Sequence, residues 1–230
     1  MKKAARATAL ILLIANLAYG QCEKLFDFKE GTSWKWANYD KKGKLLSKTF
    51  QRVEKFTQTG NGFAATVSVV QTDKEGAQGP KITMDMTCKE GVLYYDMKKF
   101  VPDEYLKDDE GGTTIAIEGK NLELPINMQP GDVLPDASVT MRLGSADSPM
   151  GLKMTVDIFN RKVEGQENLH TPAGQFDCLI IRQTIKTKAV VTFQMTSKEW
   201  FQPDVGMVKS ETYNKKGKLT GYAILTEFRK

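Results

Sequence analysis

The chain has 230 residues, with 33 basic and 28 acidic side chains and a formal net charge of +5. Three of the basic residues lie within the first twenty positions, so the remaining positions carry 30 basic and 28 acidic residues and are nearly neutral. Lysine and acidic residues are mixed along the whole length, without a basic stripe interleaved with aromatic residues. This composition argues against a nucleic-acid-binding protein.

The first twenty residues, MKKAARATALILLIANLAYG, have the parts of a secretory signal peptide: a basic start, a short apolar stretch and a small-x-small cleavage site that ends at Gly20. The apolar stretch is shorter than the about 20 residues that cross a bilayer as a helix. We therefore predict a signal peptide at 1–20 and a single β-rich domain at 21–230, exported to the periplasm or the outer surface without a transmembrane span. A lipid anchor on Cys22 is the alternative, which Gln21 disfavours because a small residue should precede a lipidated cysteine.

An odd number of cysteines, Cys22, Cys88 and Cys178, follows the predicted cleavage site. In an exported chain this number predicts one disulfide and one buried or reactive thiol, and three pairings are open. We predict a bond between Cys22 and Cys88, because Cys22 lies at an end of the chain that would otherwise fray. Cys178 is then a buried thiol that packs with Phe176 and Ile180 on one strand face.

Alternation of apolar and polar residues dominates the chain, as expected of half-buried β-strands. The clearest segments are KITMDMTC (81–88), ASVTMRL (137–143) and LKMTVDI (152–158). Glycine- and proline-containing turn signals separate such segments, for example TGNG, EGKN, TPAG and PDVG. The one plausible helical turn is VPDEYLKD (101–108), where a proline at the first position precedes two acidic residues.

One phrase occurs twice, as YDKKGKL at 39–45 and as YNKKGKL at 213–219. Both copies contain Asx-x-x-Gly, in which the Asx side chain accepts backbone hydrogen bonds and the glycine takes the left-handed conformation. The flanking sequences differ, so the phrase indicates the same hairpin turn used twice rather than a duplicated domain. The lysines at these turns most simply keep the turns solvated; contact with anionic lipid headgroups is the alternative.

Large apolar residues on the predicted strand faces are the candidates for a ligand site. Tryptophans two residues apart share one face of a strand, and unbranched methionines suit surfaces that accept varied apolar ligands. Ordinary core packing is the competing interpretation for both sets. The candidate ligand-binding residues are Trp34, Trp36, Met84, Met86, Met141 and Met154.

No pattern in the sequence predicts catalysis. The only histidine, His170, precedes the TPAG turn, and a polar surface position explains it better than a catalytic role. Two acidic stretches, 102–110 and 130–136, lack an EF-hand pattern and fit a helix start and turn-forming residues better than a calcium site. We therefore expect no enzyme, no metal and no cofactor.

Five stretches together resemble the TapB-like envelope proteins, a family related to domains of unknown function in exported bacterial proteins. They are GTSWKWANYDKKGK (31–44), TCKEGVLYYDM (87–97), LPINMQPGDVLPD (124–136), TPAGQFDCLII (171–181) and WFQPDVGMVKSE (200–211). The resemblance implies an open, strongly curved antiparallel sheet, comparable to the half-barrels of periplasmic lipoprotein carriers. It also implies an association with protein-secretion machinery and supplies no catalytic residues.

The predicted fold is thus an all-β, mainly antiparallel, curved sheet or half-barrel with at most a short helix or two. The predicted function is non-enzymatic binding of an apolar ligand or lipidated chain in the concave face of that sheet. The alternative is a protein-interaction component of envelope or secretion machinery. A concave pocket lined by methionine, leucine and aromatic residues would favour the first; a closed core with a flat exposed patch would favour the second.

The predicted signal peptide leads to a first testable prediction, which concerns the N-terminus of the mature protein. The mature protein isolated from its native host begins at Gln21 and carries no lipid, which N-terminal mass analysis of the intact protein measures. A mature chain that begins at Cys22 with a diacylglyceryl group would contradict it.

Overall fold

Fourteen antiparallel strands form one continuous sheet in the computed structural model, which describes Cys22 and residues 28–60, 62–99, 115–143 and 152–230. The strand order is β6-β9-β10-β11-β12-β13-β14-β1-β2-β3-β4-β5-β7, with β8 paired to β10. The strands are β1 (Ser33–Asp40), β2 (Leu45–Thr59), β3 (Gly62–Asp73), β4 (Ile82–Lys89), β5 (Val92–Tyr95), β6 (Ile115–Lys120), β7 (Leu122–Pro125), β8 (Val133–Leu134), β9 (Ala137–Leu143), β10 (Leu152–Thr171), β11 (Gly174–Lys188), β12 (Thr192–Gln202), β13 (Gly206–Asn214) and β14 (Leu219–Arg229).

The predicted fold class is confirmed: the sheet is antiparallel, strongly curved and nearly closed into a barrel shape. The alternation at 137–143 corresponds to β9, and that at 81–88 to β4. A 3-10 turn, Met97–Lys99, follows β5. The helical turn predicted at 101–108 lies outside the described residues. Within the described ranges, no helix has the length and apolar character needed to cross a membrane.

The repeated phrase forms the same turn in both places, as predicted. Asp40 Oδ1 accepts hydrogen bonds from the backbone amides of Lys42 and Lys44, at 2.8 and 2.9 Å. Asn214 accepts the equivalent pair from Lys216 and Lys218, and Gly43 and Gly217 have φ angles of +80° and +70°. These donors lower the pKa of the Asp40 carboxyl. Both turns connect neighbouring strands of one sheet, so local turn chemistry, and not duplication, explains the phrase.

The two edge strands of the sheet, β6 and β7, follow each other directly in the sequence. β6 pairs with β9 at one edge and β7 pairs with β5 at the other, yet only Asn121 separates β6 from β7. The chain therefore steps from one edge of the sheet to the other within a single residue, which brings the edges together. The EGKN segment, predicted as a turn at 118–121, is instead the end of β6 and this crossing.

A buried arginine joins β7, the strand that follows the crossing, to the opposite side of the sheet. Arg161, only 1% exposed, donates from Nη1 to the carbonyl of Glu123 on β7, at 3.0 Å, and to that of Pro135 before β9, at 2.5 Å. Its Nε donates to Gln183 Oε1 on β11 at 3.1 Å. The guanidinium thus ties one edge strand to the opposite side of the sheet.

A bulge in β10 turns Arg161 inward. In the pairing with β11, Phe159 faces Thr184 and Lys162 faces Arg182, so that two residues of β10 stand opposite Gln183 alone. The extra residue, Asn160, takes the left-handed conformation with φ of +53°, which asparagine tolerates better than most residues. An extra residue reverses the alternation of inward and outward side chains. Ile158 faces inward before the bulge, and Arg161 faces inward after it. The alternation at 152–158 therefore describes only the first part of β10.

The predicted disulfide is present. Cys22 and Cys88 are bonded and fully buried, with Cα atoms 6.0 Å apart, and the bond closes a separation of 66 residues. A loop of this length contributes on the order of 4 kcal/mol in the chain-entropy model. Cys178 is a free thiol and is 1% exposed, as predicted, and burial raises its pKa to about 12.

Replacement of Arg161 tests the closure of the sheet. The Arg161→Met variant keeps most of the apolar stem but leaves the carbonyls of Glu123 and Pro135 and the side chain of Gln183 without this donor. Each buried polar group left unsatisfied costs roughly 1–3 kcal/mol, so we expect a loss of about 3 kcal/mol or more in the free energy of unfolding, measured by urea denaturation. The control is Arg182→Met, whose exposed side chain lies 3.7 Å from Glu164 and whose loss should cost less than about 1 kcal/mol. Equal effects of the two changes would contradict this role of Arg161.

Candidate ligand-binding cavity

A cavity of about 220 Å³ lies inside the curved sheet, bounded mainly by apolar side chains. Val205, in the turn between β12 and β13, belongs to its wall, which places the cavity toward that end of the sheet. The lining residues are Phe28, Trp34, Trp36, Gln51, Val67, Met84, Met86, Tyr95, Leu122, Leu124, Glu199, Phe201, Val205, Gly206 and Met207.

Two tryptophans of β1 form a stiff wall of the cavity. Trp34 and Trp36 are each 5% exposed, and their rings stack with centroids 6.5 Å apart. The indole nitrogens donate to the carbonyls of Val205 and Met207, at 2.7 and 3.1 Å. Because both polar groups are satisfied by backbone, the rings are held in place and present only carbon to the cavity.

Two methionines of β4 line the same cavity from another strand. Met84 and Met86 alternate with polar residues, are 8% and 4% exposed, and therefore share the inward face of β4. Tyr95 stands opposite Met86 on β5, and Leu122 stands opposite Tyr95 on β7. Besides the stiff indoles, the cavity wall thus contains two unbranched, adaptable side chains, Met84 and Met86.

One carboxyl group, that of Glu199, enters this apolar wall from β12. Its Oε1 accepts hydrogen bonds from Ser197 Oγ and from Gln183 Nε2, both at 2.8 Å. Gln183 in turn accepts the bond from Arg161, so a polar chain runs from the closure of the sheet to the cavity. No described residue donates a hydrogen bond to Oε2, which leaves this oxygen available to an occupant of the cavity.

Burial has a direct electrostatic consequence at this polar end. Loss of water raises the pKa of Glu199, although Ser197, Arg161 and Gln183 each favour the ionised form. Burial, together with the charge of Glu199, also raises the pKa of Tyr95. The carboxyl group thus shifts toward its neutral form, in which it can donate as well as accept a hydrogen bond.

The structure brings together four of the six candidate ligand-binding residues. Trp34, Trp36, Met84 and Met86 line the cavity, but Met141 and Met154 do not. These two face each other across β9 and β10, beyond a separate small cluster of buried residues. That cluster consists of Met97, Ala137, Val139 and Ile158. Alternation identifies the face of a strand that points inward, but not the part of the interior that the face reaches.

Sequence reasoning missed Glu199 and Tyr95. In TSKEWF, residues 196–201, Ser197, Glu199 and Phe201 alternate on one face of β12. An acidic residue that shares the inward face of a strand with a phenylalanine was the available signal. Tyr95 had no comparable signal, because its place depends on the pairing of β5 with β7.

The other candidate groups remain apart from the cavity. His170 is exposed on β10, opposite Gln175. Asp132 Oδ2 accepts a hydrogen bond from the amide of Gln129 at 2.8 Å, which is the turn-forming role predicted for it. The acidic stretch 102–110 lies outside the described residues. Among the residues that the structure describes, no three His, Cys, Asp or Glu side chains converge as a metal site.

The model of the DUF3108-like family matches residues 29–225, which include all fourteen strands except the last residues of β14. The chain belongs to the DUF3108-like family. No curated protein matches the sequence significantly.

Two crystal structures share the fold. One is of a protein from Bacteroides fragilis, described as exported and YmcC-like in fold, with 22% identity and a TM-score of 0.70. The other is of a protein from Parabacteroides distasonis, described as a lipoprotein, with 25% identity and a TM-score of 0.71. Each alignment covers 89% of this chain and 98% of the other.

The carboxyl group in the cavity generates a pH prediction. Folding raises the pKa of Glu199 above its ordinary value of 4.5. The folded state therefore binds more protons than the unfolded state at a pH between the unfolded-state and folded-state pKa. As the pH rises from the first pKa to the second, this group lowers the free energy of unfolding. Glu199→Gln removes this dependence. We expect the free energy of unfolding of the variant, relative to the unchanged protein, to increase between about pH 4 and about pH 7, measured by urea denaturation. The control is the exposed Glu118→Gln, whose relative stability should stay nearly constant; a relative stability of Glu199→Gln that falls with pH would contradict the prediction.

Proposed function

We propose that this protein is a non-enzymatic binding protein of the cell envelope that holds an apolar ligand inside its curved sheet. The observation that supports the proposal most is the cavity of about 220 Å³ lined by tryptophan, methionine and leucine side chains. Concave, mostly apolar pockets with few polar groups are typical of small-molecule sites. The signal-like sequence at 1–20 and the exported protein and lipoprotein among the structural neighbours support an envelope location.

The volume of the cavity limits the part of the ligand that it encloses. An engineered cavity of about 150 Å³ holds one benzene molecule, and pockets for drug-sized ligands have about 300–1,000 Å³. A cavity of about 220 Å³ therefore encloses a single ring system or a short acyl segment. The remainder of a longer lipid or of a lipidated chain would extend beyond the enclosed part.

Glu199 defines the polar feature of the ligand. A carboxyl oxygen in an apolar wall favours a ligand that brings a hydroxyl or amine group to it, because an occupant without a hydrogen-bonding group would leave Oε2 unsatisfied. A carboxylate ligand is disfavoured, because two carboxylates in one apolar site cannot both ionise freely. We thus infer an amphiphile with an apolar segment and a hydrogen-bond donor.

Docking of a partner protein of envelope or secretion machinery is the second candidate. The resemblance of five sequence stretches to TapB-like proteins supports it. A closely packed interior would have favoured this function, and the apolar cavity favours ligand binding instead. Neither candidate assigns catalytic residues to the chain.

A fluorescent apolar probe tests the proposed binding. N-phenylnaphthylamine should bind saturably with enhanced emission, and Met84→Gln, which places an amide in the cavity wall, should weaken binding about tenfold, equivalent to ~1.4 kcal/mol. Met154→Gln is the matched control: the same substitution outside the cavity should leave the dissociation constant unchanged. Absence of saturable binding, or equal weakening by both substitutions, would contradict the proposal.

Displacement of the probe tests the polar feature separately. We expect a long-chain amine and alcohol to displace the probe at lower concentrations than the carboxylic acid of equal chain length near neutral pH, because only the acid brings a second carboxylate. In Glu199→Gln the difference between acid and alcohol should largely disappear. If the amine, alcohol and acid displace the probe from Glu199→Gln at the same relative concentrations as from the unchanged protein, Glu199 does not select the ligand. Binding in the cavity is tested separately, by the comparison of Met84→Gln with Met154→Gln.

A further inference from the structure

Alternate turns of the antiparallel sheet gather at one end of the molecule. The turn 41–44 between β1 and β2 and the turn 215–218 between β13 and β14 lie side by side, because β1 pairs with β14. The turn 189–191 between β11 and β12 lies at the same end, since β12 pairs antiparallel with β13. We call these three turns together the basic rim.

Most of the exposed large apolar side chains among the described residues lie at the basic rim. Val190, Val191 and Phe193 are 88%, 57% and 62% exposed at the β11–β12 turn, and Leu46, 48% exposed, follows the β1–β2 turn. Among the described residues, only one other large apolar side chain is exposed, Val133. Isolated exposed apolar residues need no explanation, but a group of them at one end of a molecule marks an interaction site.

The apolar turn projects beyond its neighbour. Met195 of β12 faces Asn214, the last residue of β13, so residues 192–194 extend past the end of that strand. Three extended residues span about 10 Å. The apolar tip therefore lies farther out than the lysine turn beside it, which is the arrangement of a segment that enters a lipid layer with its cations at the headgroups.

Six lysines lie on one side of this tip, in the next two turns along the sheet at this end, and are available to an anionic partner. They occupy the two repeated turns, and none forms a salt bridge with another described residue. The six are Lys41, Lys42, Lys44, Lys215, Lys216 and Lys218, all exposed. Between the two turns, Tyr39 and Tyr222 stack with ring centroids 5.0 Å apart, and tyrosine is enriched where protein meets the headgroup layer.

The opposite end of the sheet has a different character. Lysines occur there as well, at positions 29, 89 and 230, but its turns at 90–91, 172–173 and 203–205 contain Glu90 and Asp204 and no exposed large apolar side chain. Within the described residues, lysine-rich turns and a group of exposed apolar side chains thus occur together at the basic rim only.

We propose that the basic rim docks on a membrane surface that carries anionic lipid headgroups, with Val190, Val191 and Phe193 inserted among the lipids. The lysines attract the anionic headgroups, and the apolar side chains of the tip insert between the lipids. A partner protein with an acidic, apolar surface is the competing occupant, but a projecting apolar tip beside a row of exposed lysines is the arrangement of a segment that enters a lipid layer. This proposal does not rest on a ligand in the cavity.

Flotation with vesicles tests the proposal. The mature protein should float with vesicles of phosphatidylcholine mixed with phosphatidylglycerol, float far less with phosphatidylcholine alone, and dissociate as salt is raised. Replacing Lys215, Lys216 and Lys218 by glutamine should weaken binding by roughly fivefold for each lysine. The double change Val190→Asp and Phe193→Asp should abolish flotation at moderate salt.

Matched controls separate the basic rim from the rest of the surface. Glutamine at Lys29, Lys55 and Lys89 removes the same charge away from the basic rim, and Val133→Asp places an acid at an equally exposed valine; both should float as the unchanged protein does. An unchanged circular dichroism spectrum and an unchanged midpoint of urea denaturation for each variant would show that the fold is intact. No flotation with anionic vesicles, equal flotation with both lipid mixtures, or equal losses in rim and control variants would overturn the proposal and assign the basic rim to a partner protein.

Discussion

The hydrogen bonds of Arg161 connect the closure of the sheet to the cavity inside it. One buried guanidinium contacts β7, the segment before β9, and β11. The last two flank β10, the strand of Arg161, whereas β7 comes from the opposite edge of the sheet and reaches Arg161 only because the sheet curves back on itself. Leu122 and Leu124 of β7 line the cavity, and Gln183 of β11 holds Glu199. The position of both the apolar wall and its single carboxyl group therefore depends on one side chain. Burying a cation is unfavourable unless it is paired or hydrogen-bonded, and here two carbonyls and one amide oxygen accept three hydrogen bonds from the guanidinium.

A sheet of this kind has two weak points, its edges, where unpaired backbone groups invite pairing with other chains. Here the chain itself passes from one edge to the other at Asn121. Closure protects the edges and also creates an interior, because an open sheet of the same strands would expose its apolar face to water. The stiff indoles, whose nitrogens bind backbone carbonyls, and the tie of Arg161 keep part of that interior from collapsing, and the cavity remains.

Local patterns predicted the local structure. Period-two alternation located β4 and β9, the Asx-x-x-Gly phrase gave the correct turn twice, and the odd cysteine was correctly left as a buried thiol. Each of these features depends on neighbours in sequence or on simple burial. The prediction failed where distant pairing decides the outcome. The bulge at Asn160 reverses the alternation of β10, the EGKN segment crosses between edges, and the assignment of Met141 and Met154 to the cavity required knowledge of where β9 and β10 lie. Glu199 was overlooked because an acidic residue is ordinarily assigned to the outer face.

The central question is whether the cavity is occupied in the cell. Mass spectrometry of small molecules extracted from the protein, purified from its native host without detergent, answers it most directly. We expect one class of amphiphile, with an apolar segment and a hydroxyl or amine group, in a fixed ratio to the protein, and its depletion from the Met84→Gln variant but not from Met154→Gln. Extracts of the unchanged protein and of Met84→Gln that contain the same background molecules, with none enriched, would contradict a ligand-binding function.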